Sequence, residues 1–210
     1  MSLTRAQTLH EAAMQAVTVP LHYTRTGRNL AWAALAGASQ FVEYEHHPRR
    51  DVVDAQHQSR FFYHAHPVEG SFAGDKTLEH GHFHVFMQST QGFHHLAGLS
   101  LTAQGMPLRW FTTNRWVTGE RWRSASAWGQ DVRRFEVTTR SRLSPVARWL
   151  TAMVQLYADD LLELLRKRDQ KLQQLREQTA RTQAQIFEDR RWHVFSHMPI
   201  DLQNKVQALL

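Results

Sequence analysis

The sequence predicts an α+β fold in which a small antiparallel sheet of three to five strands is flanked by helices and followed by a long C-terminal helix or helical hairpin. Apolar residues recur at helical spacing near the N-terminus, strand-like runs separated by turns extend to residue 113, and residues 146–190 contain neither Gly nor Pro. At 210 residues, the chain fits one domain, with an α+β core at 1–143 and a helical region at 144–210.

The composition limits the chemistry available to this protein. The chain has no Cys, which excludes disulfides, thiolate catalysis and cysteine-ligated metal sites, so any metal must be held by nitrogen and oxygen. No apolar run approaches the length of a membrane span, and we expect a cytoplasmic protein that does not contact membranes. A net charge of +6 permits nucleic-acid binding, but the Arg residues are scattered, which does not favour that partner.

Two helices are predicted before the first strand. Residues 3–17 carry apolar side chains at helical spacing, and we expect Pro20 to close this helix. Residues 29–36 form a second, apolar helix with Asn29 as its N-cap and Gly37 as its stop. Because it is apolar nearly all round, the second helix should be buried.

An antiparallel meander is the simplest arrangement for the strand-like runs. The runs are 40–46, 61–66, 79–87, 93–101 and 108–113. Residues 47–54 follow the first run and contain Pro48, so we expect an extended or turn-like loop there. Residues 114–128 hold three Trp, and a short helix covering one face of the sheet is the interpretation we adopt.

The second and third runs give the sheet a histidine-rich face. Side chains alternate along a strand, so histidines two residues apart share one side of the sheet. If the two runs pair as a hairpin, with residues 67–76 connecting them, five imidazoles converge on one side while apolar residues cover the other. These imidazoles belong to His64, His66, His80, His82 and His84.

Imidazole nitrogens on one face are typical of metal sites with nitrogen and oxygen ligands. We expect a divalent transition metal, which could be Zn, Fe, Mn, Ni or Cu. The leading ligands are His64, His66, His82 and His84, with His80 as a further ligand or as a group that orients one. Glu79 points to the opposite face of a regular strand, and becomes a ligand only if a bulge at Gly81 redirects it.

Other polar groups are candidates to support the site. Carboxylates and an imidazole before the hairpin could orient the ligand rings or bind the metal, and a tyrosine on the first run could hydrogen-bond a bound ligand. These residues are Glu45, His46, Asp51, Asp54 and Tyr63. Two alternatives remain open for the histidines, namely a hydrogen-bonded polar network without metal and a pocket for a small-molecule ligand.

The C-terminal region begins with a strong helix start at Ser144-Pro145. A continuous helix to residue 190 would be roughly 65–70 Å long, so it must either project or break in two. Its second half keeps only a narrow apolar seam, of the kind found in coiled coils. Residues 165–190 could therefore form a homodimer contact, or could fold back on their own domain. A last short helix starts near Pro199.

The functional hypotheses therefore belong to three classes. The first is a metal-binding protein, which includes the case of a mononuclear metalloenzyme, whose ion is held by histidines of two adjacent strands. The second is a binding or adaptor module that dimerises through its C-terminal helix, with structural histidines. The third is nucleic-acid binding through a basic surface. The sequence contains no catalytic motif that decides whether the protein is an enzyme.

The histidine motifs also carry a resemblance. Tyr63-His64-Ala65-His66 and Glu79-His80-Gly81-His82-Phe83-His84, followed by residues 112–120, resemble an uncharacterised bacterial family known as a domain of unknown function. The likeness covers most of the chain and includes the Arg168-Asp169 pair of the long helix. It implies a single bacterial domain and implies no particular activity.

Overall fold

A six-stranded antiparallel sheet, with its strands in the order β1-β2-β3-β4-β5-β6, forms the centre of the fold in the computed structural model. The structure describes residues 4–35, 37–38, 42–65 and 79–209. The strands are β1 (His47–Asp54), β2 (Ser59–His64), β3 (Glu79–Ser89), β4 (Gly92–Thr102), β5 (Pro107–Thr113) and β6 (Val194–Pro199). The α+β class is confirmed, with one strand more than the predicted range.

Helices surround this sheet. They are α1 (Arg5–Arg25), α2 (Leu30–Ala34), α3 (Arg115–Thr118), α4 (Ala125–Trp128), α5 (Ser144–Leu156), α6 (Ala158–Thr179), α7 (Gln183–Phe187) and α8 (Leu202–Gln207), with a 3-10 helix at Gly129–Arg134. Among the described helices, none combines the length and the hydrophobicity that a membrane span requires.

The main core lies between one face of the sheet and α5. Phe61, Phe83 and Val85 alternate with the histidines and are fully buried. The ring of Phe83 lies 6.1 Å from that of Trp149 on α5, measured between centroids. Helix α1 also packs on α5. One side of the histidine hairpin is therefore anchored by apolar burial, which fixes the direction of its other side.

Helix α1 is longer than predicted. The expectation that Pro20 closes it was wrong, because the helix continues to Arg25 with Pro20 inside. A proline in a helix removes one backbone hydrogen bond. Tyr23 lies beyond Pro20 and packs against the core, so tertiary contact offsets that loss. The predicted Asn29 cap of α2 is confirmed, because its side chain accepts a hydrogen bond from the Trp32 amide at 2.8 Å.

The prediction for residues 40–54 was wrong in both parts. Residues 42–46, the described part of the predicted strand, contain no strand, and Tyr44 has a left-handed φ of 65°. The predicted loop is strand β1 instead. Proline is compatible with this strand because β1 lies at the edge of the sheet, where not every amide joins a ladder. Val52 pairs with Phe61 and is buried in the core.

The C-terminal region is broken and is not purely helical. Helix α5 ends at Leu156 and α6 begins at Ala158, and strand β6 then pairs with β5, with Ser196 opposite Thr112. Strand β6 was not predicted from the sequence. Residues 114–128, expected to hold one short helix, contain the two short helices α3 and α4.

The apolar seam of α6 packs within its own chain. Leu172 and Leu175 are buried in a small cluster with Ile186, Phe187 and Phe195, which Trp122 and Trp192 partly cover. The buried leucines of the seam therefore face this cluster, as in the alternative of a helix that folds back on its domain. The leucines that suggested a dimer through residues 165–190 are therefore already buried within their own chain.

Candidate metal centre

Strands β2 and β3 bring three imidazoles together. In their antiparallel register His64 lies opposite His82, and Phe62 lies opposite His84. The ring centroids are 4.5 Å apart for His64 and His82, and 4.9 Å apart for His82 and His84. One nitrogen from each of the three rings lies within 4.8 Å of the others, which is close enough for a shared ion. We call these three residues the histidine cluster.

His82 is oriented by a buried carboxylate. Its Nδ1 lies 2.6 Å from Oε1 of Glu79, and its Nε2 lies 2.7 Å from Nε2 of His64. Ser100 donates to the other oxygen of Glu79 at 3.0 Å, and Arg109 is 3.9 Å away. Burial alone would raise the pKa of Glu79, but the hydrogen bonds from His82 and Ser100 and the nearby positive charges lower it. A charged Glu79 keeps the proton of His82 on Nδ1 and leaves Nε2 as the lone pair.

Glu79 reaches the histidine face because β3 bulges at its start. The pairing with β4 shifts by one residue between Glu79 and Gly81, so Glu79 lies on the side of His82. His80 is turned the other way, and its Nδ1 lies 2.7 Å from the Tyr63 hydroxyl. Gly81 permits this geometry, because a Cβ there would lie 2.6 Å from the carbonyl oxygen of His64. The prediction that His80 shares the face of His82 was therefore wrong. For Glu79, a bulge at Gly81 was the condition for reaching the histidine face, and the bulge does turn the Glu79 carboxylate toward His82.

His84 is the most deeply buried member of the cluster. Its Nδ1 lies 2.8 Å from Nε2 of His95, whose Nδ1 lies 3.1 Å from the Thr113 hydroxyl. Burial, followed by the charges of neighbouring imidazoles, lowers the pKa of His84 well below its usual value. Burial and the charge of Arg168 lower the pKa of His95 to about 3. Both rings are therefore neutral at physiological pH.

The outer nitrogen of His84 is available as a ligand. Within the described residues, Nε2 of His84 is buried and has no hydrogen-bond partner. When Nδ1 donates to His95, the lone pair of the neutral ring lies on Nε2. A buried polar atom without a partner is costly, and such an atom in a native fold requires an explanation.

His95 was missed by the sequence analysis because of a second bulge. Strict alternation in β4 places His95 on the core face with Ala97 and Leu99. The register with β3 shifts between Val85 and Phe86, so that His95 lies opposite Phe86 and beside His84. The sequence offered a signal in the His94-His95 pair on the neighbouring strand, but no pattern that locates the bulge.

Aromatic rings wall the cluster. Phe62 contacts the rings of His46, His64 and His84. Phe111 meets His82 edge to face at 5.0 Å between centroids. Gly98 makes room for Phe111, because a Cβ there would fall 2.1 Å from the ring. These apolar walls lower the polarity around the cluster, which strengthens electrostatic interactions between the groups beside them.

The remaining predicted residues lie in several places. His46 stacks on Phe62 at 3.7 Å, and its Nδ1 lies 2.9 Å from Asp51, so this pair borders the cluster. Glu45 is exposed. Tyr63 lies on the core side, where burial and the charge of Glu79 raise its pKa. His66 lies outside the described residues, as does the predicted connection at 67–76.

Asp54 belongs to a different part of the molecule. Its carboxylate contacts Nδ1 of His57 at 2.7 Å and accepts hydrogen bonds from the amide and hydroxyl of Thr138, both at 2.7 Å. It closes the β1–β2 turn and ties it to the segment before α5. The expectation that Asp54 approaches the histidines was therefore wrong.

Comparison with known proteins identifies the family of this chain. A family model described as a domain of unknown function, DUF6969, matches residues 10–200. The chain belongs to this family. No curated protein and no solved structure matches the chain. The expected resemblance to a domain of unknown function is confirmed, and the family assigns no chemistry to the histidine cluster.

Proposed function

We propose that this DUF6969 protein binds one divalent transition-metal ion through the Nε2 atoms of His64, His82 and His84. The observation that carries the proposal is the convergence of three imidazole nitrogens within 4.8 Å of one another in an aromatic-walled position, where His82 and His84 are buried and His64 is half-buried. Three such nitrogens match the ligand sets that proteins use for these metals.

The hydrogen bonds around the cluster support the same assignment. Metal-binding imidazoles usually donate their second nitrogen to a carboxylate or another acceptor, which fixes the ring and its tautomer. Glu79 does this for His82, and His95 does it for His84. Glu79 therefore acts as an orienting group here, since its Oε1 contacts Nδ1 of His82.

A polar network without metal explains the cluster less well. Such a network should satisfy its buried nitrogens, yet within the described residues Nε2 of His84 has no hydrogen-bond partner. A shared cation gives that atom a partner and removes the need for a proton between the facing Nε2 atoms of His64 and His82.

Three protein ligands leave room for a further ligand on the ion. A metal with an open position can act as a Lewis acid or activate a bound water, so the geometry is compatible with a mononuclear metalloenzyme. Zn, Fe, Mn, Ni and Cu all accept nitrogen ligands, and the ligand set alone does not select among them.

Metal analysis of protein purified without a nickel column tests the proposal. We expect about one equivalent of a transition metal in the wild type and loss of most of it in a His82→Ala/His84→Ala variant. A His10→Ala/His22→Ala variant is the matched control, since it also removes two imidazoles, but from the exposed side of α1. Circular dichroism checks that each variant is folded. Negligible metal in the wild type, both as purified and after incubation with each candidate metal, would refute the proposal.

A further inference from the structure

A second candidate binding site lies away from the histidine cluster. A cavity of about 610 Å³ opens where α1, the 3-10 helix, the α5–α6 junction and α8 meet. This volume lies within the range of about 300–1,000 Å³ that is typical of small-molecule sites. Its lining includes none of the cluster histidines and neither of their orienting partners, Glu79 and His95. The cavity therefore has to be explained independently of the metal.

The cavity has an apolar wall. The side chains that form it are Leu9, Leu156, Ala158, Ala208 and Leu209. They come from α1, from both sides of the α5–α6 junction and from the two residues that follow α8. An apolar ligand body placed against this wall would remove hydrocarbon surface from water on both sides.

Positive charge dominates the rest of the lining. Arg5, Arg133, Arg134 and Lys205 line the cavity together with the single carboxylate of Asp159. Asp159 pairs with Arg5 at 2.7 Å and also with Arg133, whereas Lys205 pairs with Asp160. Within the described residues Arg134 forms no ion pair or side-chain hydrogen bond. The lining thus has an excess of positive charge, which attracts an anion.

The charges already present can be rearranged at little cost. Asp159 and Arg5 are more than half exposed, and exposed ion pairs contribute little to stability. Within the described residues Nε of Arg133 is buried without a hydrogen-bond partner. An incoming carboxylate can therefore compete with Asp159 for the guanidinium group of Arg133 and can also contact that of Arg134, which forms no ion pair within the described residues.

We propose that this cavity binds a small amphiphilic carboxylate, with its apolar body against Leu9, Leu156 and Leu209 and its carboxylate at Arg133 and Arg134. The ligand class follows from the two halves of the lining, one apolar and one cationic. The proposal does not depend on the metal site.

Calorimetric titration of the full chain with decanoate, below its micelle concentration, tests this site. We expect saturable binding with one site per chain, and much weaker binding of acetate, which lacks the apolar body, and of decanol, which lacks the charge. Arg134→Gln should weaken decanoate binding about tenfold, because it removes a charge-assisted contact. Ala208→Trp should abolish binding by filling the cavity from its exposed rim.

Arg140→Gln is the matched control, since it removes an exposed arginine that does not line the cavity. It should leave decanoate affinity unchanged, and near-ultraviolet circular dichroism should show every variant folded. Absence of saturable binding to the wild type would overturn the proposal. Equal affinity for decanol would also contradict it, as would equal weakening by Arg134→Gln and Arg140→Gln.

Discussion

The regular pairing of β2 with β3 and the bulged pairing of β3 with β4 contribute different groups to the histidine cluster. In the regular part, pairing in register places His64, His82 and His84 side by side. Two bulges between β3 and β4 bring in the groups that orient those rings, Glu79 at one shift and His95 at the other. Regular pairing thus positions the candidate ligands, and the bulges position the groups that orient them. Bulges often redirect side chains at functional sites in this way.

Replacing Gly81 should disrupt the bulge at the start of β3, and we expect this change to have the largest effect of those considered, on the free energy of unfolding. In Gly81→Ala the new Cβ meets the His64 carbonyl oxygen and the Tyr63 hydroxyl, each at 2.6 Å. We expect the free energy of unfolding to fall by about 3 kcal/mol, measured by urea denaturation. Gly119→Ala is the control, because no atom lies within 4 Å and only its φ of 70° opposes the change. A control as destabilised as Gly81→Ala would show that sterics at the bulge are not the cause.

Neutralising Glu79 should weaken metal binding without removing a ligand. In Glu79→Gln the side chain keeps its size but no longer holds the Nδ1 proton of His82 as a charged acceptor. We expect metal affinity to fall about 10–100-fold, measured by competition with a chromophoric chelator. Glu43→Gln removes an exposed carboxylate and should have no effect. Unchanged affinity in Glu79→Gln would show that the carboxylate does not orient a ligand.

A second carboxylate–imidazole pair, Asp54 with His57, lies away from the histidine cluster. Changing it should therefore affect stability and leave metal binding unaffected. Burial would raise the pKa of Asp54, but hydrogen bonds from His57 and Thr138 outweigh it and hold the pKa well below its usual value. A lowered pKa stabilises the fold above about pH 4, the unfolded value, and this contribution is lost as pH falls toward the folded pKa.

Asp54→Asn should therefore reduce the free energy of unfolding by about 1–2 kcal/mol at pH 7. The difference from wild type should shrink as the pH is lowered below 4, and metal affinity should not change. Urea denaturation at several pH values measures the first effect. A difference that grows on acidification, or a loss of metal affinity, would contradict the assignment.

The smallest expected effect concerns the support of His95. Thr113→Val removes the hydroxyl that lies 3.1 Å from Nδ1 of His95 and keeps the side-chain shape. Because this group acts through two rings, we expect a loss of metal affinity of about threefold. The chelator competition assay measures it, with Thr18→Val on the exposed side of α1 as the control. A loss larger than that of Glu79→Gln would mean that His95, and not Glu79, is the main orienting group.

Alternation alone was enough to predict the ligand candidates on the regular strands. The apolar partners of His82 and His84 fixed which side faced the core, so their direction followed from the sequence. His80 and His95 could not be placed, because a bulge adds one residue on one strand and no local residue type requires it. Asp54 was placed wrongly and strand β6 was missed for another reason, since their partners, Thr138 and Thr112, lie more than 80 residues away in the chain.

An anomalous-difference map of crystals grown with Zn²⁺ or the metal found in the purified protein tests the central claim most directly. We expect one strong peak about 2.0–2.1 Å from the Nε2 atoms of His64, His82 and His84. No peak among these three rings, in crystals where the metal is bound elsewhere or not at all, would contradict it.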